Sequence, residues 1–276
     1  MTPEIAFEPA SAKACAVALS RASFMRPRWF APSTWVQHAP FAYFVIEALR
    51  PSSYVELGSH YGYSFMAVCQ AVEAYGLPTR CVAIDTWQGD EHAGFYGNNV
   101  YQAVKGELDR RYAGFTSMMR MTFDEALPKF ADGSIDLLHI DGRHFYDDAR
   151  HDYETWQPKV AKAGIVMIHD TRVFERGFGV HRLWAEIADK YPSFEFHHGH
   201  GLGVAAVGGA VPEALAGLFE AARDPAVAAD IRACYEHLGQ ALEPDAKAGR
   251  QAYKTGWKAD AKRQAKAVAA RLGLGK

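Results

Sequence analysis

The sequence predicts an α/β fold: a doubly wound, mostly parallel sheet of seven strands, with an N-terminal helical segment before it and C-terminal helices after it. Three observations carry this reading. Between residues 51 and 208, short apolar runs alternate with longer amphipathic stretches, the pattern of strands joined by crossover helices. Three of the apolar runs end in an acid, at Asp85, Asp141 and Asp170. Ligands of such sheets bind beyond the carboxyl ends of the strands, so these acids stand at the edge of the expected cleft.

The elements follow in order. Ser11–Ser20 and Ala39–Leu49 read as helices. Ser53–Leu57 is a short strand that runs into a glycine turn, and Tyr63–Tyr75 continues as a helix. Cys81–Asp85 is the second strand, Ser117–Met121 the third, with Asn99–Tyr112 helical between them. Ile135–Asp141 is the fourth strand, followed by a helix over Asp147–Trp156. Ile165–Asp170 is the fifth, followed by a helix over Val180–Lys190. Glu195–His197 and Val204–Val207 are late strands, and the Ala-rich remainder is helical. The expected division is a helical cap over residues 1–48, a ligand-binding domain over 49–210 and a basic helical extension over 211–276.

Composition narrows the partners. With 276 residues, 49% of them hydrophobic, the chain can bury a sizeable core. A formal net charge of -2 gives no global field toward nucleic acid. Lys247–Lys276 holds nine basic residues against Asp260, but one helix with few aromatics reads as a solvated basic face, and no nucleic-acid partner is expected. Cys15, Cys69, Cys81 and Cys234 form no paired spacing, which suits reduced thiols in a cytoplasmic protein. Residues 1–10 lack the apolar run of a signal peptide, and no apolar stretch is long enough to span a membrane.

The chemistry begins at the first turn. Gly58 and Gly62 flank a tight loop between strand and helix, where glycine permits positive φ and close approach to a ligand. Glu56 stands two residues earlier, a place that suits a ligand amino group; an ordinary capped strand–turn–helix is the alternative. Asp85 suits a ribose diol, because a carboxylate accepts two hydrogen bonds side by side. The glycine spacing is not that of a dinucleotide fingerprint, which speaks against a nicotinamide-dependent oxidoreductase.

Glu56-Leu57-Gly58-Ser59-His60-Tyr61-Gly62, then Asp85, then Asp141, resembles three sequence motifs of class I S-adenosylmethionine-dependent methyltransferases. The resemblance covers about residues 51–208 and implies a Rossmann-like sheet holding S-adenosyl-L-methionine. It implies cofactor contacts from Glu56, Gly58, Ser59, Tyr61, Gly62, Asp85 and Asp141, with Trp87 and Phe123 beside the adenine. Asp124 or Glu125 would face the adenine amino group.

His139-Ile140-Asp141-Gly142-Arg143-His144, then Tyr146, Asp152, Trp156 and Pro158, then His169-Asp170, is similar to a subgroup of bacterial metal-dependent O-methyltransferases acting on sugar and polysaccharide hydroxyls. That similarity implies a divalent cation on Asp141 and Asp170, with His169 at a third position where relatives often carry an acid. Oxygen ligands suit Mg²⁺, while an imidazole shifts preference toward Mn²⁺ or another first-row metal. Strand alternation equally allows His169 to point under the sheet. His144 corresponds to the general base and Asp141 to its catalytic neighbour. Asp90 and His92, on a long Gly- and aromatic-rich loop after Asp85, are expected to touch the acceptor; His38 and His181 read equally as reaching the cleft from elsewhere or as structural. His197-His198-Gly199-His200 reads as a metal tract or as a plain hairpin loop. The expected activity is O-methylation of a sugar or glycan hydroxyl, as a homodimer or within a glycan-assembly complex. Methylation of a small phenolic acceptor, and a non-catalytic scaffold of the same fold, are the alternatives.

Overall fold

The computed structural model describes residues 9–251. The first eight residues and most of the expected basic C-terminal helix lie outside the described residues. Helices α1 (Pro9–Ala18) and α2 (Ala39–Leu49) precede strand β1 (Ser53–Leu57). Then come α3 (Tyr63–Ala74), β2 (Arg80–Asp85), a small hairpin of β3 (Gly89–Asp90) and β4 (Gly94–Phe95), α4 (Asn98–Arg111), β5 (Thr116–Arg120) and the short α5 (Phe123–Ala126). The second half holds β6 (Ile135–Ile140), α6 (Tyr146–Trp156), β7 (Val160–His169), α7 (Val180–Lys190), β8 (Ser193–Phe196), β9 (Leu202–Ala205), α8 (Glu213–Ala221) and α9 (Pro225–Gln240).

The main sheet has seven strands in the order β5-β2-β1-β6-β7-β9-β8. The five from β5 to β7 are parallel, and β9 runs antiparallel to both neighbours. This is the Rossmann-like sheet the sequence predicts. Strand order reverses between β1 and β6, so the crevice for a ligand opens above their carboxyl ends.

Both faces of the sheet are buried, which explains why its strands read as near-continuous apolar runs. Alternate residues feed two cores. Tyr54, Ala83, Leu137 and Met167 face one core with α2, α3, α8 and α9. Val55, Ile84, Leu138 and Ile168 face the other with α6 and α7. Helix α1 packs on α8 and α9, so the two ends of the described chain meet on one side of the sheet. Tyr235 of α9 donates to the Ala18 carbonyl there. Among the described residues, no helix is long and apolar enough to cross a membrane.

The strand bounds differ from the sequence reading in instructive places. β7 starts at Val160 rather than Ile165, because a register irregularity after Ile135 admits the polar, partly exposed stretch before Ile165 into the ladder. β9 starts at Leu202 rather than Val204 and contains Gly203. A Cβ at Gly203 would lie 2.3 Å from the Trp184 ring, so this glycine makes room for an α7 indole rather than a turn. The loop after Asp85 contains the β3–β4 hairpin, whose two-residue strands are too short for periodicity to reveal.

Candidate functional site

A cavity of about 750 Å³ opens at the carboxyl edge of β1, β2, β6 and β7. That is within the range that takes a cofactor-sized ligand. Gly58 sits at its floor with φ +87°, and a Cβ there would lie 2.0 Å from the Asp141 carbonyl oxygen. The turns after β1 and β6 are thus in backbone contact, and only glycine fits between them. Gly62, with φ +74°, caps α3 in the left-handed region.

Asp85 ties this turn together. Its Oδ2 accepts from the Ser59 and His60 amides, each at 2.9 Å, and its Oδ1 accepts from the Trp87 amide at 2.6 Å. Burial raises its pKa, against the pull of those amides. Ser59, Tyr61 and Asp85 all line the cavity.

Glu56 lies beneath the cavity rather than on its wall. It is fully buried and takes hydrogen bonds from Tyr54 Oη at 2.7 Å, Ser59 Oγ at 2.7 Å and His139 Nδ1 at 3.0 Å. Trp35 Nε1 donates to His139 Nε2 at 3.2 Å, which fixes the tautomer that donates to Glu56. A buried carboxylate must be satisfied in this way. Trp87 is also off the wall: it is buried, its Nε1 donates to the His60 carbonyl, and its ring meets Tyr101 edge-on. Phe123 lines the cavity, while Asp124 points to the surface and pairs with His151 at 2.9 Å. Glu125 is spent in the capping box of α5 with Thr122. Asp152, from α6, brings its carboxyl behind Gly142 beside Phe123. Burial pushes its pKa up to about 7.

The acidic centre stands beyond the ends of β6 and β7. Ligand atoms of Asp141, His144 and Asp170 all lie within 4.8 Å of one another. His144 Nε2 is 2.8 Å from Asp170 Oδ2 and 3.8 Å from Asp141 Oδ1. His169 Nδ1 is 3.3 Å from Asp141 Oδ1, and its Nε2 donates to the Gly199 carbonyl at 2.9 Å. His200 Nδ1 is 3.1 Å from Asp170 Oδ1. Two carboxylates therefore sit among three imidazoles. Burial opposes charge here, but the pairing outweighs it. Asp170 is held well below the usual carboxylate range by His169, His144 and His200. Despite burial, Asp141 and Asp170 push His144 up to about 10. Against the same burial, Asp170 and Asp141 push His169 up to about 9. Asp170 itself has φ +62°, a conformation uncommon outside glycine and tolerated by Asp and Asn.

The β3–β4 hairpin roofs the cavity. Asp90 Oδ1 accepts from the His92 and Ala93 amides at 2.7 Å and so shapes the turn as well as lining the wall. His92 packs its ring on Phe145 and Phe178. His181 does not line the cavity; its Nδ1 donates to the Val173 carbonyl at 3.2 Å. His38 is buried below, donating from Nε2 to Gly199 O at 3.0 Å. The His197–His200 tract forms the turn between β8 and β9, and of its imidazoles His200 reaches the acidic centre. Sequence reading did not single out Arg176 or Phe178 for the site, and it offered His200 only within the His197–His200 tract. Arg176 and Phe178 come from the loop between β7 and α7, and no local motif marks them.

Comparison with known proteins adds three findings. The chain is 48% identical over 200 residues to the protein named y4gI of Sinorhizobium fredii (strain NBRC 101917 / NGR234), a match covering 72% of this chain and 22% of that protein. The chain thus spans about a fifth of the curated relative it matches. Among solved structures, cofactor-bound Rv0187 from MTB aligns at 16% identity and a TM-score of 0.49, covering 75% of this chain and 93% of that one. The O-methyltransferase TomG from Streptomyces achromogenes, in complex with SAM, aligns at 14% identity and a TM-score of 0.47, covering 72% and 90%. Residues 55–171, the span from β1 to just past Asp170 that builds most of the cavity, match the family model described as Methyltransferase domain.

Proposed function

We propose that the chain is an S-adenosylmethionine-dependent O-methyltransferase that methylates a sugar or glycan hydroxyl with the help of a divalent cation. The observation that carries the reading is the placement of Asp141, His144 and Asp170 on the wall of the same cavity that Gly58 opens.

Methyl transfer asks little of the protein beyond alignment, because the sulfonium carbon is already electrophilic. The Gly58–Gly62 turn, with Asp85 and Phe123, would hold the nucleoside and the methionine part. The acceptor oxygen must then lose its proton near neutral pH. Two carboxylates and an imidazole form a donor set that fits a divalent cation, and the buried His144 Nδ1 has no partner of its own. Asp141, His144 and Asp170 would hold the ion, with His169 bracing Asp141 from behind. Such a cation would lower the pKa of a bound acceptor hydroxyl. Without a cation, and despite burial, Asp141 and Asp170 push the pKa of His144 up to about 10; with one on those carboxylates, His144 would lose that proton and could serve as a neutral imidazole. A homodimer, a glycan-assembly complex and a cytoplasmic location belong to the same proposal.

A phenolic acceptor is the second reading, favoured by the rings of His92 and Phe178 on the cavity wall. Transfer of a labelled methyl group to glycans and to catechols, with and without EDTA, separates the two. The expected result is glycan methylation that falls at least about tenfold in EDTA and returns with Mg²⁺ or Mn²⁺. Transfer to catechols alone selects the phenolic reading, and transfer indifferent to EDTA removes the cation.

A further inference from the structure

Three arginines line the cavity among the described residues: Arg143, Arg176 and Arg250. Arg143 is neutralised by Glu91 at 3.0 Å and Asp148 at 3.6 Å, and Arg250 by Glu243 at 3.4 Å. Arg176 has no carboxylate within 4.0 Å among the described residues. One of its five N–H donors is used, from Nη2 to the His92 carbonyl at 3.1 Å. The guanidinium lies 5.8 Å from the centroid of Phe178, whose ring stacks on His144 at 4.5 Å. It therefore stands one aromatic ring beyond the acidic centre.

The backbone is committed to this placement. Arg176 has φ +59° and Gly177 φ +76°, two successive left-handed residues. A non-glycine residue in that region is strained and persists when its surroundings hold it. The surroundings do so. His92 Nε2 donates to the Arg176 carbonyl at 2.9 Å, and the Gly179 amide donates to the His144 carbonyl at 2.7 Å. The turn is thus braced on both the hairpin roof and the segment carrying His144.

Resting on the proposed methyltransferase activity, we propose that the acceptor carries an oxyanion, a phosphate or a carboxylate, and that Arg176 binds it and selects for it. A guanidinium matches both groups through paired N–H donors. The rings of His92 and Phe178 then cover the face of the sugar between the oxyanion and the reacting hydroxyl. The acids on the wall do not contradict this. Asp85 belongs to the cofactor side, Asp90 accepts from the His92 and Ala93 amides, Glu91 pairs with Arg143, and Asp141 and Asp170 face the proposed cation.

Calorimetric titration of the full chain tests the assignment. The protein, saturated with S-adenosylhomocysteine and Mg²⁺, is titrated with glucose 1-phosphate, glucuronate and glucose. Binding of at least one anionic sugar, at least tenfold tighter than glucose, is expected, and the tighter one identifies phosphate or carboxylate. Arg176→Ala should weaken that binding at least tenfold and leave the affinity for S-adenosylhomocysteine within twofold. Arg176→Lys should recover part of the loss. Equal affinity for charged and neutral sugars, or no binding of any, overturns the proposal. So does an Arg176→Ala variant that binds the sugars normally, or one that loses S-adenosylhomocysteine instead, since Arg176 would then hold the cofactor's carboxylate. If the wild-type chain fails to bind S-adenosylhomocysteine at all, it is the methyltransferase reading that fails.

Discussion

Replacing Gly58 with alanine is expected to weaken S-adenosylhomocysteine binding at least about a hundredfold and to cost roughly 3 kcal/mol or more of stability. Two effects combine. The residue has φ +87°, which L side chains rarely adopt, and its Cβ would lie 2.0 Å from the Asp141 carbonyl oxygen. That oxygen belongs to backbone, so no rotamer change relieves the clash. Either the β1 turn or the β6 turn must move, and both line the cavity. Gly76→Ala is the matched control. Gly76 also has positive φ, +56°, but a Cβ there meets nothing within 4 Å. It should cost about 1 kcal/mol and leave binding unchanged. Thermal melts and ligand titration on the two variants check this, and equal behaviour of the pair would mean that the turn-to-turn contact is unimportant.

The second large effect concerns the acidic centre. Asp170→Asn should lower kcat by about 10²–10⁴ while S-adenosylhomocysteine affinity stays within about threefold. Asparagine keeps the volume and tolerates the φ of +62°, so the backbone has no reason to move. What changes is charge. His144, His169 and His200 all lie within 3.6 Å of an Asp170 oxygen, and all three lose an anionic partner. Asp124→Asn is the comparison, because that acid pairs with His151 at the surface and should leave kcat within about twofold. Steady-state kinetics with the preferred acceptor reads both. A Asp170→Asn enzyme with normal kcat would take Asp170 out of the chemistry.

Much of the molecule was legible in the sequence because its signals are local. Apolar runs between amphipathic helices gave the parallel sheet, and the acids closing β2 and the turns after β6 and β7 marked the edge where the cavity opens. Less legible was how each polar group spends its hydrogen bonds. Glu56 stands where a ligand-binding acid was expected, yet three donors from Tyr54, Ser59 and His139 already occupy it. Trp87 follows Asp85 closely, but its indole turns inward to the His60 carbonyl. Such choices depend on partners brought together by the fold, and spacing along the chain does not encode them. The same holds for Arg176, whose proposed role rests on its standing without an acid partner among the described residues. The β8–β9 turn is a further case: Gly199, His200 and Gly201 all take positive φ, and Gly199 O receives both His38 and His169.

The cavity at the ends of β1, β2 and β6 is the claim on which the rest stands. Isothermal titration of the 276-residue chain with S-adenosylhomocysteine, and separately with NAD, tests it most directly. The account predicts one-to-one binding of S-adenosylhomocysteine with a dissociation constant below ~100 μM and no heat with NAD. Absence of binding to the former, or equal binding of the two, would contradict it.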